Sequence, residues 1–401
     1  MEALSLEEAR KILLSHVEKR EATEEVSLWE AKGRVLSEDV VAPRSQPPFP
    51  RSPLDGYAVR SQDLQGADRQ TPVQLTVVDE VMAGYVASGE VIKNTAVRIM
   101  TGAPIPKGAD CVVRQEDTDY GEEKVLVYQS LRPFENYCFE GEDYKAGDCL
   151  LKQGVRLGAV EIGVLASLGL RTVAVYQRVK TALLTTGDEI VLPEEKLAPG
   201  KIYDSNLYML GSELLSWGME LTCKKRVGDE AQKVADAIEK AATNADIIIT
   251  TGGVSVGKKD ILHEVIKKLE CEKLFWRIAI KPGMPTLCAK YKGKLLICLS
   301  GNPYGAFVNL ELLVRPVLAK LSGRKDLELT HCPAVLKNAF PKKSGVTRFI
   351  RGYYEDGWAM VADGSNDSGI LSSMCGCNCL IEAKAGSDGL YKGDRVCVIL
   401  L

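Results

Sequence analysis

Four acidic residues fall just after short apolar runs in the second half of the chain. They are Asp188 and Glu189 in TTGDEI, Asp229 in VGDE and Asp260 in TTGGVSVGKKD. A lone carboxylate in such a place caps a helix or sits in a solvated loop. Four on one rim repel one another unless a cation joins them. Mg2+ suits such a set because it takes carboxylate oxygens and keeps waters for phosphate, so Asp188, Glu189 and Asp260 are the candidate metal ligands. The opposite charge comes from IAIKPGMP, where Lys281 and Arg277 could grip an oxyanion. Gly252 and Gly253 allow backbone N–H groups to approach an anion, and Ser255 adds a donor. Asn302-Pro303 in LSGNP opens a helix whose N-terminus favours negative charge.

Each of these motifs has a plainer reading. GGVSVGKK nearly spells the phosphate loop G-x-x-x-x-G-K-[ST], but Lys259 cannot supply the hydroxyl that holds Mg2+. Its glycines would equally serve a tight strand-to-helix turn. The three histidines, His16, His263 and His331, sit by no serine or cysteine in a nucleophile context, which argues against triad hydrolysis.

The elements that must position these groups alternate. KTALLTT, MELTCKK, ADIIITT, KLFWRIAI and KLLICLS read as strands. Residues 205–217, 230–242, 261–269 and a long run from Pro303 read as helices. Alternation of this kind implies a doubly wound parallel sheet, whose ligands lie beyond the carboxyl ends of the strands. TTGDEI, VGDE, TTGGVSVGKKD, IAIKPGMP and LSGNP would then lie on one rim. The flanks differ. Ser5 and Glu8 form a capping box for a first helix, and a proline-rich passage follows. Residues 57–151 read as short strands, 160–168 as a helix, and the chain after Gly323 as a small β domain.

At 401 residues the chain exceeds one core, and 26% charged with 45% hydrophobic residues is ordinary globular composition. A net charge of −3 gives no basic excess for nucleic acid. The first residues, MEALSLEEARKILL, form no apolar signal core, and no run has the length of a membrane span, so the expected localisation is cytoplasmic. Most of the twelve cysteines lie singly in apolar runs, as buried thiols do. Cys375, Cys377 and Cys379 alternate along one strand face in this reading, without a second ligand pair for zinc.

In order, SPLDGYAVR, RIMTGAPIP, GED, TTGDE, IYDSN, TTGGVSVG, AIKPG and GNP closely resemble the MoeA family of molybdopterin molybdenumtransferases, to which the gephyrin E domain is related. The resemblance spans essentially the whole chain. It implies a multidomain α/β plus β fold: a split N-terminal domain (1–50 and 140–173), an inserted β domain (51–139), a MogA-like α/β domain (174–325) and a C-terminal β domain (326–401). It implies an elongated homodimer that inserts molybdate into adenylylated molybdopterin, releasing AMP with the help of Mg2+. A molybdopterin adenylyltransferase and apo-molybdoenzymes are the implied partners, with no nucleic acid and no membrane.

By motif position Asp260 resembles the family's critical acid, and Asp188, Glu189 and Asp229 its other rim carboxylates. Ser255 and Lys281 resemble pocket donors. Asp55 and Asp143 resemble residues that reach the site from the partner subunit. Arg351 and Ser368 resemble oxyanion-site residues, with Arg348 the alternative to Arg351. The chain also departs from the family's pattern. Met284 stands for the second Lys of K-P-G-K-P, Ser300 for a Pro and Gly305 for a Ser in LPGNPVS, and Arg277 where Lys is common. Arg277 and Lys258 are the expected compensation for the charge missing at Met284. Two alternatives are also compatible with the sequence: a non-catalytic scaffold of the same fold, and a molybdopterin adenylyltransferase. Retained acids argue against the first, and the extra β domains against the second.

Overall fold

The computed structural model describes residues 3–254, 261–364 and 367–401. They fall into two units. One comprises Met1–Ser37, Arg156–Gly158 and Thr172–Leu401; the other comprises Glu38–Val155 and Ala159–Arg171.

The first unit is built on a six-stranded sheet in the order Glu220–Val227, Lys180–Thr186, Ile247–Thr251, Lys294–Leu299, Leu287–Tyr291, Glu272–Trp276. The first four strands are parallel. Their side chains alternate between two cores, as burial on both faces requires. Leu183, Ile249 and Ile297 face the helices Ser205–Ser216 and Pro303–Asn309 and the N-terminal helix Leu6–Ser15. Ala182, Leu184, Ile248 and Leu296 face Ala231–Ala242 and Ile261–Lys268. The sheet is therefore doubly wound as expected, but not wholly parallel. Leu287–Tyr291, a strand missing from the expected set, runs antiparallel to both of its neighbours. Lys292 and Gly293, both at positive φ, close it onto Lys294–Leu299 as a two-residue hairpin.

IAIKPGMP also differs from expectation. The sheet strand ends at Trp276, and Ile280–Lys281 pairs instead with Thr347–Arg348. Its partner belongs to a C-terminal barrel of His331–Leu336, Thr347–Glu355, Trp358–Val361, Cys379–Ala383 and Arg395–Leu400. Thr347–Glu355 pairs with both Trp358–Val361 and Cys379–Ala383, which closes the sheet and removes its edges. Only Cys379 of the three clustered cysteines is in a strand; Cys375 is exposed and Cys377 half-buried in the turn before it. They do not share a strand face, because a 3-10 turn at Ser372–Met374 breaks the alternation. None of the twelve cysteines is in a disulfide.

The long final helix is interrupted by a π turn, Leu310–Val314, that buries Glu311. Its carboxylate accepts a hydrogen bond from Arg315 at 2.9 Å. Burial outweighs that contact and pushes the Glu311 pKa up to about 7 from its ordinary 4.5. A raised folded-state value means that the folded chain holds this proton more tightly than the unfolded one. The stability it contributes is complete below the unfolded pKa and is lost as pH rises through about 7. Glu311→Gln should flatten the fall in thermal midpoint between about pH 5 and about pH 8, an effect of up to roughly 3 kcal/mol. Parallel pH profiles for wild type and variant would contradict this.

The second unit carries a five-stranded sheet in the order Cys111–Arg114, Gly56–Val59, Thr95–Ile99, Val73–Val81, Lys124–Val127. It also holds the helix Ala159–Ser167. Among the described residues no helix is long and apolar enough to cross a membrane.

Candidate active site

Two cavities open at the carboxyl rim of the parallel strands, and Pro285, Ser300, Asn302 and Gly369 line both. The larger, about 800 Å³, follows three strand ends. After Thr186 the chain turns through Gly187 to Glu189, which lines it, and Asp229 enters from the end of Glu220–Val227. Asp188 and Asp229 hold each other: the Asp188 N–H donates to the Asp229 carboxylate at 3.2 Å, and the Asp229 N–H to that of Asp188 at 3.0 Å. The exchange fixes the two loops side by side. Gly252 and Gly253 form the third edge. A Cβ at Gly252 would come within 2.3 Å of the Thr186 carbonyl oxygen, so only glycine lets these strand ends approach so closely.

The motif IYDSN supplies the wall opposite. Asp204 caps the helix Ser205–Ser216 by accepting the Leu207 N–H, and it also accepts the Thr185 hydroxyl. Asn206, buried, donates from Nδ2 to Thr251 Oγ1 and to the Gly301 carbonyl, both at 2.8 Å, and so ties two rim turns together. Its Oδ1 is buried without a hydrogen-bond partner among the described residues. In the sequence Asp204 and Asn206 stand out only as members of the motif IYDSN. A capping Asp is a local signal, but the two acceptors of Asn206 lie far away in sequence.

The smaller cavity, about 620 Å³, lies between the Lys-Pro-Gly turn and the barrel. Lys281, Lys342 and Arg348 line it, and among the described residues none of the three forms an ion pair. Lys281 and Arg348 are register partners on neighbouring parallel strands, an arrangement of like charges that is unfavourable without an anion. Arg348 lies 5.5 Å from the Phe340 ring centroid, and its Nε is buried without a hydrogen-bond partner among the described residues. The Lys281–Met284 turn is clamped from behind by Asn309, which donates to the Gly283 carbonyl at 2.9 Å and to Thr286 Oγ1 at 2.7 Å. Ser368 lines the same cavity and its hydroxyl accepts from Asn302 Nδ2 at 3.0 Å. Pro303 lines the larger cavity, but the Tyr304 N–H at the helix start is already taken by the Ser368 carbonyl.

The structure thus brings Glu189, Asp229, Gly252, Gly253, Asn302 and Pro303 to one cavity, and Lys281, Asn302, Ser368 and Arg348 to the next. It keeps Arg277 and Arg351 out of both. Arg277 follows the last sheet strand at positive φ, and its guanidinium lies over Trp276 at 4.2 Å. It cannot replace the charge missing at Met284; Lys342 and Arg348 line that cavity instead. Arg351 is 1% exposed and lies over the Tyr304 ring at 3.8 Å. It donates to the carbonyls of Ile370 and Asp367 and to Ser373 Oγ, and so braces the loop that carries Ser368, Gly369 and Leu371. Asp188 does not line the larger cavity, and its carboxylate accepts the Asp229 N–H. Ser255, Lys258 and Asp260 lie outside the described residues. Among those described, no group of three His, Cys, Asp or Glu residues is placed to hold a metal ion.

Asp55 and Asp143 belong to the second unit. The Asp55 carboxylate accepts the N–H and the hydroxyl of Thr101, both at 2.7 Å, which hold its pKa below the ordinary value. Asp143 lines a cavity of about 440 Å³ beside Val160 and Val164 of the helix Ala159–Ser167.

Comparison with known proteins matches residues 4–169 to the family described as MoeA N-terminal region (domain I and II), 182–320 to a probable molybdopterin binding domain and 333–401 to the MoeA C-terminal region (domain IV). A molybdopterin molybdenumtransferase of Staphylococcus epidermidis is 37% identical over 401 residues, covering 99% of this chain and 95% of that relative. One from Staphylococcus aureus is 37% identical over 94% of this chain and 90% of its own length. The crystal structure of a molybdopterin biosynthesis MoeA protein from Pyrococcus horikoshii OT3 superposes with a TM-score of 0.82 at 34% identity, over 100% of both chains.

Proposed function

We infer that this chain, which belongs to the MoeA family and has its function in molybdenum cofactor biosynthesis, inserts molybdate into adenylylated molybdopterin and releases AMP. The observation that carries the reading is the pair of adjoining cavities, one lined by three cations that form no ion pair among the described residues and the other by carboxylates and glycine backbone. The cationic cavity suits a tetrahedral dianion, and the rim of Gly252 and Gly253 suits the phosphoanhydride. Metal and dithiolene would meet at the shared wall. One water is added across the anhydride, so that AMP leaves with one phosphate and the pterin keeps the other. In this reading one of the two carboxylates lining the larger cavity, Glu189 or Asp229, would take the water's proton while the other helps hold the cation.

The donor set fits Mg2+. Glu189 and Asp229 offer carboxylate oxygens, and Asp229 keeps Oδ1 outside its exchange with Asp188. When bound, Mg2+ would neutralise phosphate charge. Asp260 and Ser255 belong to this reading by motif position. Asp55 and Asp143 belong to it as residues supplied by a second copy. Val160 on the helix beside Asp143 is 75% exposed, and only Leu165 of that helix is fully buried, which supports an apolar face covered in a homodimer. The upstream adenylyltransferase and the downstream apo-molybdoenzymes are the partners this reading implies. The four-domain division belongs to it as well. Cations that line a cavity and form no ion pair among the described residues, and carboxylates kept beside it, favour turnover over a pure scaffold.

The test is purified chain with adenylylated molybdopterin, molybdate and Mg2+, followed for AMP and for activation of a cofactor-free molybdoenzyme. The preparation should have the mass of a dimer by light scattering. Folded protein that yields neither AMP nor activation would overturn the transferase reading, and a monomer mass would overturn the shared site.

A further inference from the structure

The wall between the two cavities carries a donor that the reaction described above does not use. Ser300 is 8% exposed and lines both cavities. Its Oγ accepts the Asn302 N–H at 3.3 Å, and among the described residues its own proton has no protein acceptor. A hydroxyl on the lining of both cavities can still donate that proton to a ligand bound there. The surroundings hold the hydroxyl in place. A Cβ at Gly305 would lie 3.3 Å from both Cβ and Oγ of Ser300 and 3.4 Å from the amide nitrogen of Gly283. The hydroxyl therefore sits beside the Lys281–Met284 turn, in room that the bare glycine leaves. Met284, 37% exposed, lines the cavity on that turn with an uncharged thioether.

We propose that the Ser300 hydroxyl donates to the oxyanion in the smaller cavity, at its junction with the larger, and sets this chain's affinity for a tetrahedral dianion. Three residues act together here: Met284 gives the turn an uncharged side chain, Ser300 offers a neutral directional donor at the shared wall, and Gly305 leaves the space the donor occupies. The proposal rests on the reading that this cavity holds the oxyanion.

The test is equilibrium dialysis of molybdate against the full chain, with AMP binding as the companion measurement. Ser300→Ala should weaken molybdate binding about tenfold, as loss of one hydrogen bond to a charged group does, and leave AMP binding unchanged. Ser300→Cys, which keeps the volume with a weaker donor, should fall between. Met284→Lys in the Ser300→Ala background should recover most of the loss. Unchanged molybdate binding in Ser300→Ala, while Arg348→Ala loses it, overturns the role of Ser300 and leaves the cavity's assignment standing. Equal loss of molybdate and AMP in Ser300→Ala marks a structural role and also overturns it. If Arg348→Ala binds molybdate as wild type does, the assignment of the cavity fails and this proposal fails with it.

Discussion

Replacing Lys281 and Arg348 together with alanine is expected to weaken molybdate binding by at least about a hundredfold, since each charge-assisted hydrogen bond contributes roughly 1.5–3 kcal/mol. The physical reason is their placement. Lys281 and Arg348 are register partners on adjacent strands and line one cavity, and neither has an acidic partner among the described residues. Two like charges held side by side store repulsion that a dianion relieves. The empty double variant should therefore melt no lower than wild type, and molybdate should raise the midpoint of wild type only. Equilibrium dialysis and thermal melts at one ionic strength decide the matter. A double variant that binds molybdate normally would show that the anion sits elsewhere.

Arg351→Met is expected to damage both cavities at once. Arg351 lines neither cavity, yet it supports the wall that both share through Gly369. Its guanidinium holds the carbonyls of Asp367 and Ile370 and the Ser373 hydroxyl while lying over Tyr304. Removal leaves those acceptors unpaired at about 1–3 kcal/mol each and loses a desolvated cation–π contact of about 2 kcal/mol, partly offset by no longer burying a charge. A net loss of about 3 kcal/mol, with at least tenfold weaker molybdate binding, is the expected outcome. Arg351→Lys keeps the charge but not the fork that reaches three acceptors, and should restore stability only in part. A methionine variant with wild-type melting and wild-type molybdate affinity would remove Arg351 from this role.

The parts of the site legible in the sequence are those whose signal is local. A strand end followed by glycine and an acid marks Gly187 to Glu189, Gly228 with Asp229, and Gly252 with Gly253, and the sheet brings these ends to one rim because parallel strands share a direction. Asn302 and Pro303 mark a helix start in the same way. IAIKPGMP carried the same kind of signal and misled in one respect. Its strand pairs in the barrel, because Arg277 turns the chain out of the sheet after Trp276. The turn still reaches the shared wall, through Pro285.

The choice between cations was not local. Arg277, Arg348 and Arg351 are alike as letters, and Lys342 gave no signal beside a family motif. Barrel closure puts Arg348 and Lys342 at the cavity, buries Arg351 under the loop it braces, and leaves Arg277 stacked on Trp276. The order of motifs along the chain determined the family and the kind of chemistry, since each motif is a short stretch whose backbone needs are met by its own residues. Only the tertiary structure decided which charges face the cavity and which hold the wall. A guanidinium is a ligand or a brace according to the acceptors that surround it, and those acceptors come from distant parts of the chain.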